Sequence, residues 1–136
     1  FLNRTFDFLL PKKDNIPVWI RKNRIYFLAF LAGYTDAEGC FWSSKTQRSF
    51  TLASYEKNIL HQIYRELVKL GIPCNSPKIR VRKGFIKSNG QMYHKDHWYF
   101  TISKKSSLYS LSKLLRNQLK HQKRLRDFQR LLKTIQ

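Results

Sequence analysis

The chain has 136 residues, enough for one domain with a sizeable core and too few for two ordinary ones. Its 27 Lys and Arg against 8 Asp and Glu give a formal charge of +19, which repels itself in any compact fold and points to a polyanionic partner. The longest apolar run, Ile25 to Tyr34, falls well short of a membrane span, and Cys40 and Cys74 are too few and too far apart for a disulfide framework or a zinc cluster.

Phe1 to Leu10 set Arg4 and Asp7 among Phe1, Leu2, Phe6, Phe8, Leu9 and Leu10, a pattern unlike a secretion signal but apolar enough to dock on a core. With two unpaired thiols, this predicts an intracellular, reducing setting, either prokaryotic cytoplasm or an organelle matrix. Pro11 to Arg24, carrying Pro17 and many charges, reads as a connector.

From Ile25 the chain becomes a wholly apolar helical run that closes on Leu31-Ala32-Gly33-Tyr34-Thr35-Asp36-Ala37-Glu38-Gly39. Two carboxylates at that end are electrostatically backwards, because the free carbonyls of a helix C-terminus already carry partial negative charge. Acids are scarce in this chain, so their placement predicts that something positive, a metal ion, completes the site. A helix apolar on every side is expected to be buried on every side, with Ala29 and Gly33 forming a smooth stripe four residues apart.

Phe41 to Ser54 reads as two short strands around a polar turn at Lys45 to Arg48. Phe41, Phe50 and Leu52 alternate onto a core face, and Trp42, Ser44, Ser49, Thr51 and Ala53 onto the other. Glu56 to Leu70 places Ile59, Leu60, Ile63, Tyr64, Leu67 and Val68 at helical spacing, and Gly71 followed by Pro73 ends that helix.

Asn89-Gly90 signals a two-residue type I′ hairpin turn. Pairing Ser88 with Gln91 then sets Val81 opposite Trp98 and Ile79 opposite Phe100 on a core face. Arg80, Arg82, Tyr93, Lys95, His97 and Tyr99 share the opposite face. Asp96 falls opposite Lys83 as a cross-strand ion pair, and His94 and His97 fall on opposite faces, which argues against joint metal ligation. Leu108, Leu111, Leu114, Leu115 and Leu119 predict a further helix capped by Ser106 or Ser107. Leu125, Phe128, Leu131, Leu132 and Ile135 predict a last one.

The order helix, hairpin, helix, hairpin, helix, helix makes an α+β domain with helices on one face of an antiparallel sheet. The uncovered face is basic and aromatic and suits a DNA major groove. On it, Arg80 and Arg82 are candidates for base reading, since Arg binds guanine edges bidentately. Lys78, Lys95 and Arg48 are assigned mainly to phosphates, and Tyr93 and Tyr99 to the sugar backbone. Trp42, Ser44, Thr51 and His97 complete the expected surface.

The nine residues Leu31 to Gly39 resemble the motif of the LAGLIDADG homing endonucleases: Leu31, Ala32, Gly33, Asp36, Ala37 and Gly39 are the same, and Glu38 replaces the second Asp. The resemblance extends over residues 23–136, one domain, and leaves residues 1–22 as an extension. It implies a saddle-shaped sheet, a homodimer on double-stranded DNA and a divalent cation such as Mg²⁺, with cleavage of both strands across the minor groove at a long pseudo-palindromic site. The element encoding such a protein would be a mobile intron or intein-like sequence. No membrane and no small-molecule cofactor is implied.

Within the resemblance Glu38 takes the metal-ligand role, and Asp36 organises the helix end with a possible share in metal binding and catalysis. Paired motif helices imply a dimer interface at Ala29, Ala32 and Gly33. A polar residue after the second strand, where Glu56 stands, and a lysine before the last helix, Lys120 or Lys123, are further catalytic candidates. Two other readings stay open: an intron maturase or non-cleaving nucleic-acid-binding module of the same fold, and one half of a two-motif endonuclease.

Overall fold

A computed structural model describes residues 14–116 and 118–135. The apolar residues 1–10 lie outside the described residues, as do residues 11–13 of the connector. The elements run α1 (Val18–Arg21), α2 (Arg24–Glu38), β1 (Gly39–Ser43), β2 (Arg48–Ser54), α3 (Lys57–Lys69), β3 (Lys78–Val81), β4 (His97–Ile102), α4 (Lys105–Leu115) and α5 (Gln122–Ile135). The four strands form one antiparallel sheet in the order β1-β2-β4-β3. This is the α+β architecture expected.

One face of the sheet carries the core. Phe41, Phe50, Leu52, Phe100 and Ile102 meet Phe27 and Leu31 of α2, Leu60 and Ile63 of α3, Leu108 and Leu111 of α4, and Phe128 and Leu131 of α5. Phe41 lies between Phe50 and Phe128, with ring centroids 4.9 and 5.0 Å away, so the sheet and the last helix share one aromatic cluster.

Local chemistry sets the helix ends. Asn23 Oδ1 accepts the Tyr26 N–H at 3.1 Å and starts α2. The stop after α3 is a Schellman closure, in which Ile72 N–H bonds to the Leu67 carbonyl and Gly71 N–H to that of Val68, with Gly71 at φ +83°. Its N-terminus is capped from a distance by Asp14 Oδ1, which accepts from Asn58 N at 3.0 Å and Ile59 N at 3.1 Å. Ile16 is fully buried and its N–H donates to Gln62 Oε1, so this part of the connector packs as part of the domain. Ser106 and Ser107 do not cap α4: Lys104 holds that position without a side-chain bond, and Ser107 is buried one turn inside.

The motif helix is not buried all round. Ile25 is 76% exposed, and Ala29, Gly33 and Ala37 share that open face, while Phe27, Leu28, Leu31 and Thr35 face inward. Ala32, expected at a partner interface with Ala29 and Gly33, is only 2% exposed and belongs to the chain's own core.

The second hairpin departs from its expected register. Lys87 pairs with Gln91 around a three-residue loop, Ser88-Asn89-Gly90, with Gly90 at φ +86° and its N–H on the Lys87 carbonyl. Adding one residue to the turn moves every partner across it. Val81 therefore faces His97, and an irregularity at Arg80 shifts the register by one more residue, so that Ile79 pairs with Trp98 and Lys78 with Tyr99. Between Arg82 and Asp96 only one isolated bridge forms, Ile86 with Met92, so Arg82, Tyr93 and Lys95 sit on an excursion beyond the sheet. Asp96 makes no ion pair with Lys83; its Oδ1 accepts the Lys83 backbone N–H at 2.7 Å.

Candidate active site and nucleic-acid interface

The turn from α2 into β1 allows no side chain at Gly39, where a Cβ would stand 2.7 Å from the Thr35 carbonyl oxygen. That tight passage places two acids differently. Asp36 turns back, and its two oxygens accept the backbone N–H groups of Lys120 at 2.9 Å and His121 at 3.1 Å, just ahead of α5. Glu38 projects from the helix end and, among the described residues, has no ion pair or hydrogen bond within the chain.

The surroundings of Glu38 raise its proton affinity, first through partial burial and then through the nearby carboxylate of Glu56, with Arg124 opposing both. Glu56, one turn past β2, is itself positioned: its N–H donates to Ser54 Oγ at 3.0 Å, and the Tyr34 hydroxyl donates to its Oε1 at 3.0 Å. The Tyr34 oxygen also lies 2.7 Å from Ser54 Oγ. Burial holds the Tyr34 phenol far above its ordinary range, and Glu56 adds to that despite the Ser54 hydrogen bond, so Tyr34 is a permanent donor.

Of the basic residues at the start of α5, the one whose charge acts on Glu38 is Arg124, and its Nε is buried without a hydrogen-bond partner among the described residues. Lys120 and Lys123 are exposed, and only the backbone of Lys120 takes part. Sequence reading named the two lysines and passed over Arg124. The signal was available: Arg124, Phe128, Leu131 and Ile135 fall on one helical stripe, whose last three members are buried.

These donors distinguish the two acids. Each Asp36 oxygen already accepts one backbone N–H, which fits a positioning role and leaves one lone pair on each for a further ligand. Glu38 fits a hard divalent cation through its oxygen donors. Among the described residues no three His, Cys, Asp or Glu groups converge to hold a metal.

From Glu38 the uncovered sheet face begins. A shallow cavity of about 440 Å³ is lined by Cys40, Thr51, Arg80, Tyr99 and Thr101, with the Thr51 and Thr101 hydroxyls 3.2 Å apart. Nearer the β1–β2 turn a second, of about 500 Å³, is lined by Trp42, Gln47, Arg48 and Ser49. Ser44 is taken up by the turn itself, its Oγ accepting from Gln47 N at 3.0 Å. Lys78 is exposed beside Tyr99, and His97 is partly buried, with burial first and Arg80 second lowering its proton affinity. Thus Trp42, Arg48, Thr51, Lys78, Arg80, His97 and Tyr99 share one surface. Cys40 and Thr101 on that surface, and Tyr55 beside His97 at its end, were not singled out from sequence; strand alternation alone would have found the first two.

Comparison with known proteins agrees with this geometry. The LAGLIDADG-like domain family matches residues 26–115. A solved structure of the homing endonuclease I-CvuI in complex with its target in the presence of Ca aligns with a TM-score of 0.55 at 19% identity, covering 82% of this chain and 67% of that one. The same endonuclease in complex with the I-CreI target in the presence of Mg, with DNA not cleaved, aligns with a TM-score of 0.54 at 19% identity over the same shares. No curated protein matches. The family match spans the motif helix, the whole sheet and α4, and on that basis the chain belongs to the LAGLIDADG family.

Proposed function

We propose that this chain is a site-specific, divalent-metal-dependent double-strand DNA endonuclease that acts as a homodimer on a long pseudo-palindromic site. The observation that carries the reading is the position of Glu38: a carboxylate without a partner among the described residues, where the exposed Ile25-Ala29-Gly33 face of α2 meets the basic sheet face. A second copy seated on that helix face would bring its own Glu38 alongside. DNA phosphates and waters would supply the remaining oxygens around Mg²⁺, which would activate water and stabilise the leaving oxygen. The rest of the work falls to the chain: Asp36 fixes α5 against the helix end, Tyr34 and Ser54 hold Glu56, and the guanidinium of Arg124 balances the paired acids.

The neighbouring structures support this reading, because they are described as homing endonucleases bound to DNA targets with Ca or Mg. One observation favours a second reading, a DNA-binding module of the same fold that does not cleave: the Glu56 carboxylate stands near Glu38, and a second negative charge there repels an incoming phosphate. Cleavage of a randomised target library, with Mg²⁺ and with EDTA, decides between them. Metal-dependent enrichment of cut sites supports the endonuclease. Enrichment of bound sites with no cutting leaves the module.

A further inference from the structure

The excursion from Arg82 to Asp96 carries features that contact with a flat duplex does not require. Phe85 is 58% and Ile86 62% exposed, and beside them an open cavity of about 540 Å³ lies between Tyr55, Met92 and Tyr93. That volume falls within the range of small-ligand sites. Its aromatic wall is braced from behind. Phe85 packs on Tyr93 at 6.2 Å between ring centroids, Lys87 Nζ stands 4.9 Å over the Tyr93 ring, and Tyr55 leans on His97 at 4.7 Å. With Lys87 on Tyr93, the half-exposed Tyr55 ring remains as a platform for another flat group.

Lys87 and Lys95 rim the cavity and no carboxylate of the described residues lines it, which suits a phosphate-bearing ligand. The Gln91 side chain on the same wall offers both a donor and an acceptor for a base edge. Tyr55 immediately precedes Glu56, so the cavity opens at the end of the sheet that carries the Glu38 cluster.

We infer that this cavity seats one unstacked nucleotide of the bound DNA, its base on Tyr55 and Met92 and its phosphates on Lys87 and Lys95. The inference rests on the DNA-binding part of the proposed function. Aromatic rings bind any base through its face, whereas a fully stacked duplex offers none, so the seat would favour DNA that is distorted or locally unpaired.

The test uses the full chain and two fluorescein-labelled duplexes of one sequence at one salt concentration: fully paired, and carrying a single extra unpaired 2-aminopurine. Wild type is expected to bind the bulged duplex about tenfold more tightly and to quench the 2-aminopurine emission. Tyr55→Ala and Met92→Ala should each bring the affinity ratio toward one and restore the emission, the Met92 variant leaving the paired duplex within about twofold of wild type, while Tyr55→Phe retains both signals. Equal affinity without quenching in wild type, or a preference that survives both alanine variants, overturns the seat alone. Failure to bind either duplex overturns the seat and the DNA reading together.

Discussion

Asp36 and Lys120 are 84 residues apart, and the Asp36 carboxylate accepts the Lys120 backbone N–H at 2.9 Å. This bond, with its neighbour to His121, accounts for an acid at an unfavourable helix C-terminus, because the charge serves the N-terminal side of a different helix, α5. Replacing Asp36 by Ala should therefore cost about 1–2 kcal/mol of stability, as for other lost helix caps. Urea unfolding measures it. A midpoint equal to wild type would show that the two bonds contribute nothing.

Glu38 should behave differently. Glu38→Gln keeps the size of the side chain and removes the charge, so DNA cleavage is expected to be lost while affinity stays within about tenfold, roughly 1.4 kcal/mol. Stability should not fall as it does for Asp36→Ala, since no partner among the described residues is given up. Cleavage and gel-shift assays on one selected target read both quantities, and a fully active variant sinks the metal-ligand assignment.

Gly33 tests the homodimer without confounding the fold. Nothing lies within 4 Å of a Cβ built there, so Gly33→Leu should leave the single chain as stable as before or more so, a helix-interior glycine being worth about 1 kcal/mol less than a good helix former. If a partner helix rests on that face, the same substitution should overpack it by about 1–3 kcal/mol and yield monomers in sedimentation. A wild-type chain that is monomeric on its DNA would refute the dimer.

Arg80 lines the sheet-face cavity beside Tyr99, whereas Lys78 is exposed at the strand's start. Arg80→Ala should relax preference at one base position in each half-site, at a cost of about 1–3 kcal/mol, while Lys78→Ala should weaken all sequences alike and reduce the salt dependence of binding. Specificity profiles at two salt concentrations make the comparison. Sequence-independent losses from both would remove this face from base reading.

The two cysteines should react unequally. Burial pushes the Cys74 thiol up to about 11, so at pH 8 about one molecule in a thousand carries the thiolate there, and Cys40 is exposed on the sheet face. Raising the pH through the folded-state value should open Cys74 to alkylation. Iodoacetamide labelling at pH 8, followed by peptide mass spectrometry, is expected to modify Cys40 first, and DNA bound on that face should protect it.

What was legible in the sequence was local. The nine-residue motif, the alternation of Phe50 and Leu52 on β2, the stop at Gly71 and the spacing of Leu108, Leu111 and Leu115 in α4 are each written within a few consecutive residues, and each stands in the structure where it was expected, whereas Leu119, expected in that same helix, is buried beyond its end. The remainder depended on contacts between distant segments. Which acid faces outward was decided by the backbone before α5 taking Asp36, and which cation meets Glu38 by the rotation of α5 that turns Arg124 inward. The burial of Ala32 and the exposure of Ala29 followed from how α2 rests on the sheet, which a helix apolar on every side does not reveal. In the second hairpin one extra turn residue shifted the pairing, because strand register is set jointly by the turn and by what packs beneath it. Periodicity names the faces of an element, and only packing between elements chooses which face meets the core, a partner chain or DNA.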